Sequence, residues 1–136
     1  MNNLWKCITT VKDTSVFETL ASMYSVPKFP SDLQSFIIMH NAGSPKLDLI
    51  KINGIERVFD KMYSFNKEAD EEDGESIFSM LIPEIKNALP FGSDPFGNAF
   101  LYCFTTGEIL FYSHETDTIE ATHYTLSEFL ENLYER

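Results

Sequence analysis

The run Asn98 to Phe104, N-A-F-L-Y-C-F, constrains the fold most, because it is apolar on both of its alternating sides: Phe100, Tyr102 and Phe104 on one, Ala99, Leu101 and Cys103 on the other. Successive side chains of a strand point to opposite faces, so such a strand is stable only where both faces are covered. It predicts a central strand. Thr105-Thr106-Gly107-Glu108 then turns the chain into I-L-F-Y, and I-E-A-T-H-Y supplies a further strand. Connections this short favour antiparallel neighbours. Upstream, L-D-L-I-K-I and I-E-R-V-F flank Asn53-Gly54, the strongest short hairpin signal, and K-M-Y-S-F follows as more strand.

Helix signals surround these strands. Three starts carry the capping-box pattern, a hydroxyl followed three residues later by Glu or Gln: Ser15/Glu18, Ser31/Gln34 and Thr125/Glu128. After Ser15, Phe17, Leu20, Ala21 and Tyr24 recur at helical spacing until Pro27 and Pro30 bar continuation. After Ser31, Leu33, Phe36, Ile37 and His40 share a face, and Asn41-Ala42-Gly43 supplies the stop. Leu126, Phe129, Leu130 and Leu133 repeat that arc after Thr125, so the chain is expected to end in a packed helix. Phe78, Leu81, Ile82, Ile85 and Leu89 predict another helix across residues 75 to 89, broken or kinked at Pro83.

Strands and helices in this order give an α+β class with a mostly antiparallel sheet and flanking helices. A length of 136 residues suits one domain spanning 1–136, large enough to bury a core without staples. No apolar run approaches the roughly 18 residues of a membrane span, and the N-terminal residues lack the pattern of a secretory signal. Cys7 and Cys103 show no metal-type spacing, and Cys103 sits in an apolar run, so neither a disulfide nor a zinc site is expected. The compartment reads as cytoplasmic and reducing.

Charge is distributed unevenly. Residues 1–67 hold eight Lys/Arg against six Asp/Glu, whereas residues 68–136 hold two against fifteen, within a net charge of −11. That balance opposes direct contact with nucleic-acid phosphates or anionic lipid and favours a neutral or basic macromolecular partner.

Catalytic motifs fail one by one. Gly92 to Gly97 has the spacing of a phosphate loop, but Asn98 and Ala99 stand where Lys and Ser/Thr belong, and a strand follows. Asp94-Pro95 with glycines reads as a turn. His114-Glu115 would need a histidine at 118 for a zinc helix and has Thr118. Aligning Gly74 with a calcium loop puts Ala69 at its first position and Met80 at its last, so no calcium loop is expected. His40, His114 and His123 are scattered, no G-x-S-x-G occurs, and no carboxylate pair stands out. No catalytic residue, metal or cofactor is assigned. A small hydrolase using carboxylates or histidine is the least supported class.

Ser22 to Pro45, S-M-Y-S-V-P-K-F-P-S-D-L-Q-S-F-I-I-M-H-N-A-G-S-P, resembles the opening of the SUKH superfamily: a short helix, an extended proline segment, a helix entering at Pro-x-Asp-Leu, and an Asn-x-Gly end. A-L-P-F-G-S-D-P-F-G-N-A-F-L-Y, G-E-I-L-F-Y-S-H-E and T-L-S-E-F-L-E-N-L resemble its small-residue turn, central hairpin, acidic turn and closing helix. Asn41-Ala42-Gly43 departs from the two glycines common in relatives, and the acidic stretch Glu68 to Glu75 is not a family landmark. The resemblance implies a non-catalytic bacterial immunity role, neutralising a polymorphic or contact-dependent toxin, often a nuclease. The alternative it implies is a regulatory protein-interaction scaffold, as in eukaryotic relatives. A toxin acting on nucleic acid tends to be basic, so an acidic partner is steered onto it. The candidate contacts are Glu68, Asp70, Glu71, Glu72, Asp73 and Glu75, with Asp94, Glu115 and Asp117, and an aromatic anchor among Phe96, Tyr112 or Trp5.

Overall fold

The computed structural model describes residues 3–68 and 75–136. Its elements run β1 (Trp5–Lys6), α1 (Ser15–Met23), α2 (Ser31–His40), β2 (Ser44–Pro45), β3 (Leu49–Ile52), β4 (Ile55–Val58) and β5 (Lys61–Met62). Then follow α3 (Ile77–Met80), β6 (Ala88–Ser93), β7 (Ala99–Cys103), β8 (Glu108–Ser113), β9 (Thr118–Thr125) and α4 (Leu126–Glu131). This is an α+β domain. The main sheet is antiparallel throughout, in the order β5-β6-β7-β8-β9, with the doubly apolar segment at its centre and every residue of β7 buried.

The alternation along β7 divides the core. Phe100 and Tyr102, with Leu89 and Phe91 of β6 and Ile109 and Phe111 of β8, face the larger cluster, built against α1, α2, α4 and the β3–β4 hairpin. Ala99 and Leu101 face the opposite side, where Ile82 and Ile85 of the 81–87 segment cover them together with Ala88. At the centre of the larger cluster Phe59 meets Phe91, Phe100 and Phe129 at ring-centroid distances of 5.9, 5.2 and 5.4 Å. The rings are tilted or edge-on, the arrangement the aromatic quadrupole favours.

The β3–β4 hairpin turns at Asn53-Gly54, both with positive φ (51° and 83°), the type I′ geometry that matches strand twist. Its tip is tied to the edge of the main sheet: the Asn53 amide donates to Glu120 Oε2 at 2.7 Å and to the Ala121 carbonyl at 3.0 Å. The Tyr124 hydroxyl donates to the Lys51 carbonyl, and Leu49 and Tyr134 exchange two backbone bonds. Arg57 lies over the Phe111 ring, 4.7 Å from its centroid, a cation held against an aromatic face. Asp32, in the first turn of α2, accepts from the Tyr102 hydroxyl at 3.0 Å and locks that helix to the central strand.

Three expectations are corrected. Ser15 and Ser31 do not cap their helices. Both lie inside the first turn, after Thr14 and Pro30 respectively, and neither cap makes a side-chain bond. At α1 the Asp13 carboxylate accepts the Ser15 N–H at 3.0 Å and its carbonyl accepts from Val16, so the entry is made two residues before Ser15. At α2 the extended Pro30 (φ −58°, ψ 128°) supplies the carbonyl that Gln34 N–H needs, leaving Ser31 no capping task. The helix expected across 75–89 is reduced to the single turn Ile77–Met80, and Ala88 already begins a strand.

Candidate functional site

Two turns stand side by side at one end of the sheet. In the first, between β6 and β7, the Asp94 carboxylate accepts from Phe96 N–H at 2.9 Å, Asn98 N–H at 2.8 Å and the Asn98 amide at 2.8 Å, while Asp94 N–H donates to the Asn98 carbonyl. In the second, between β8 and β9, Asp117 has φ 52°, a conformation that Asp and Asn tolerate better than most residues. Asn98 clasps the two together: its Oδ1 accepts from His114 N–H at 3.1 Å and lies 3.0 Å from His114 Nδ1. Gly97, at φ 87°, makes room, since a Cβ there would meet the His114 ring at 3.3 Å.

Of the sequence-derived contacts that fall among the described residues, Asp94, Phe96, Tyr112, Glu115 and Asp117 gather on this rim. Phe96 is 74% exposed at the tip of the first turn. Tyr112 is half-buried, and its hydroxyl donates to Asp117 Oδ1 at 2.8 Å. That bond, followed by burial and the nearby Asp117 and Glu84 charges, raises the Tyr112 pKa. Glu115 and Asp117 are exposed in the turn after β8. Asp94 is only 6% exposed and its oxygens are engaged within its own turn, where they hold the Phe96 and Asn98 amides.

The remaining acidic candidates divide. Glu75 is exposed, its carbonyl accepts from Ser64 N–H, and its charge acts together with that of Asp94 on the buried Tyr63 phenol. Burial first, then these two carboxylates, pushes the Tyr63 pKa up. Glu68 lies apart, beside a cleft lined by Lys12, Asp13, Ser15 and Lys67. Asp70, Glu71, Glu72 and Asp73 lie outside the described residues.

Sequence reasoning missed Ile119. It stands directly opposite Tyr112 across β8 and β9 and is 48% exposed. The signal for it was available only through register. The four-residue turn between Ser113 and Thr118 fixes the pairing and thereby puts Ile119 beside Tyr112 on one face.

The histidines are placed separately. His40 packs on Trp5 and Phe36 at ring distances of 4.5 and 5.3 Å, His114 serves the turn clasp, and His123 lies by Glu108. Cys7 is exposed and Cys103 buried, both as free thiols. Among the described residues no group of three His, Cys, Asp or Glu side chains could hold a metal ion, and no helix is long and apolar enough to cross a membrane. The rim thus combines exposed apolar surface at Phe96 and Ile119 with the exposed carboxylates of Glu115 and Asp117.

No curated protein and no solved structure matches the chain. A SUKH family model described as SMI1-KNR4 cell-wall matches residues 26–130, from the start of the proline segment before α2 into α4. Proteins of this family are generally known as non-catalytic toxin immunity proteins. The match covers well over half of the chain, and the fold places the proline segment, the helix entering at Pro30-Ser31-Asp32-Leu33, the central hairpin and the closing helix in the order the residues imply, so this chain belongs to the SUKH family.

Proposed function

We propose that this chain is a non-catalytic bacterial immunity protein, one domain over residues 1–136, which acts in the cytoplasm by binding a toxin domain and occluding its working surface. The observation that carries the reading is the family match over residues 26–130. The charge distribution supports a basic partner, and a toxin nuclease is the class whose active surface is basic, because it must hold phosphates. Carboxylates on a partner speed encounter with such a surface and select against acidic ones. The contacts we assign to it are Phe96, Tyr112, Glu115 and Asp117, with Glu68, Asp70, Glu71, Glu72, Asp73 and Glu75 contributing charge.

The test is protection. Cells producing the toxin domain encoded beside this chain's gene should survive when the chain is co-produced, and the two polypeptides should co-purify. Killing that proceeds unabated, with no complex recovered, overturns the reading. A second reading, a regulatory interaction scaffold, is favoured by the cell-wall description of the matched family. It predicts no adjacent toxin gene and a partner that is not itself toxic.

A further inference from the structure

The main sheet is covered unequally on its outer face. Ile82 and Ile85 pack over Ala88, Ala99 and Leu101, on β6 and β7, and the covering segment ends there. On β8 and β9 the same face continues as Leu110, half-buried, Tyr112, half-buried, Ile119, 48% exposed, and Ala121, exposed. Phe96, 74% exposed, projects from the turn at the end of this strip. Scattered exposed apolar residues need no explanation, but Tyr112 and Ile119 are a direct cross-strand pair that extends a buried cluster into solvent.

Its border carries several carboxylates. Asp117 holds the Tyr112 hydroxyl, Glu84 acts electrostatically on the same phenol, and Glu115 stands in the adjoining turn. Only two cations occur in residues 68–136. Of these, Lys86 is turned onto the Pro83 carbonyl and Arg136 is paired with Glu56. Among the described residues no ion pair joins Glu84, Glu115 or Asp117 to a cation, whereas Glu56 and Glu108 have basic neighbours in Arg136 and His123.

We propose that this outer strip of β8 and β9 is the docking surface, and that its occupant is an arginine-bearing surface of a protein partner. Arginine fits both halves of the site: its planar guanidinium stacks on an aromatic ring such as Tyr112 while donating in a fork to carboxylates such as Asp117. Apolar side chains beside it would meet Ile119 and Phe96. A second copy of this chain is disfavoured as occupant by a net charge of −11 on each molecule. This inference rests on the reading of the chain as a protein-binding module, and it names the surface and the chemistry that reading leaves open.

The probe is a nine-residue peptide of alternating Arg and Leu, with a Glu/Leu peptide as control, titrated into the isotope-labelled full chain at physiological salt. Amide resonances of Tyr112, Asp117 and Ile119 should shift with the first peptide and not with the second. Ile119→Lys, on an exposed strand face, should weaken binding at least tenfold. Asp117→Asn, which retains an acceptor for Tyr112 and tolerates positive φ, should weaken it about fivefold. No binding at millimolar peptide, or shifts that scatter over the acidic residues and ignore both variants, overturns the surface. Protection of cells by wild type and Ile119→Lys alike would overturn it while leaving the immunity reading intact. Peptide binding mapped to this strip in a chain that protects nothing would retain the surface and remove the immunity reading.

Discussion

Thr125 ends β9 in extended backbone and begins α4: its hydroxyl accepts Glu128 N–H at 3.2 Å while Glu128 Oε1 accepts Thr125 N–H at 2.9 Å. Thr125→Ala removes the first of these bonds and should cost about 1 kcal/mol in chemical denaturation. A change within error would mean that the reciprocal bond from Glu128 holds the helix start alone. The same pattern was legible at Ser15 and Ser31 and did not form there. Asp13 and Pro30, each one or two residues upstream, already satisfy amides at those entries. A capping box is thus a local preference that a competing acceptor nearby displaces. His40 carries a pH signature of its own. Burial against Trp5 and Phe36 depresses its pKa below the ordinary 6.5, with the Phe36 carbonyl opposing in part. Above 6.5 neither state binds the proton. As pH falls below 6.5 the unfolded chain takes it up first, so stability should decline until the depressed folded value is passed. His40→Gln should flatten that part of a melting-temperature profile against pH, and an unchanged slope would show that another group dominates it.

At the scale of elements, local chemistry announced some strands and concealed others. The Asn53-Gly54 hairpin and β7 were legible because each carries a signal with one physical solution, a turn needing two positive φ values and a strand needing cover on both faces. The segment 75–89 was not. Its apolar residues recur at helical spacing, yet Phe78 and Leu81 pack on the larger cluster while Ile82 and Ile85 pack on the opposite face of the sheet. A single helix presents one stripe to one side, so a segment that crosses from face to face must unwind, and Pro83 sits at the crossing. The strand β6 that follows was hidden by its proline and glycine. Pro90 and Gly92 flank a register shift against β7, where an irregular ladder accommodates both. Gly92 has a further reason to be small: a Cβ there would collide with the Phe59 ring and stand 2.9 Å from the Lys61 carbonyl. Gly92→Ala should therefore destabilise the fold by about 1–3 kcal/mol, measured as a shift of the denaturation midpoint at constant m-value. Tolerance without loss would imply that β5 can move away from β6. The candidate rim shows the same division between legible and hidden: Phe96, Tyr112, Glu115 and Asp117 were recognisable by residue type, whereas Ile119 acquired meaning only from its pairing with Tyr112.

For the whole molecule the dominant quantity is the charge of −11, concentrated in residues 68–136. Such a field extends about a Debye length, roughly 8 Å at physiological salt, beyond the contact surface, so it acts before any side chain of the partner is seated. Apolar anchors act only after seating. If a basic toxin domain is the partner, the two contributions separate kinetically: carboxylates set the association rate and its salt dependence, and buried aromatic contacts set the dissociation rate. Reversing Glu71, Glu72 and Asp73 to Lys adds two units of charge at each position, moving the net charge from −11 to −5. Association at low salt should slow by about tenfold or more, the dependence on salt should become shallower, and the dissociation rate should stay close to that of the wild type. Phe96→Ala is the complementary change, since it removes exposed apolar surface without altering charge, and it should raise the dissociation rate while leaving the salt slope intact. Surface binding kinetics measured across a salt series for both variants decides between them. If association is indifferent to salt and to the triple reversal, long-range steering plays no part, and recognition has to come from short-range contacts alone.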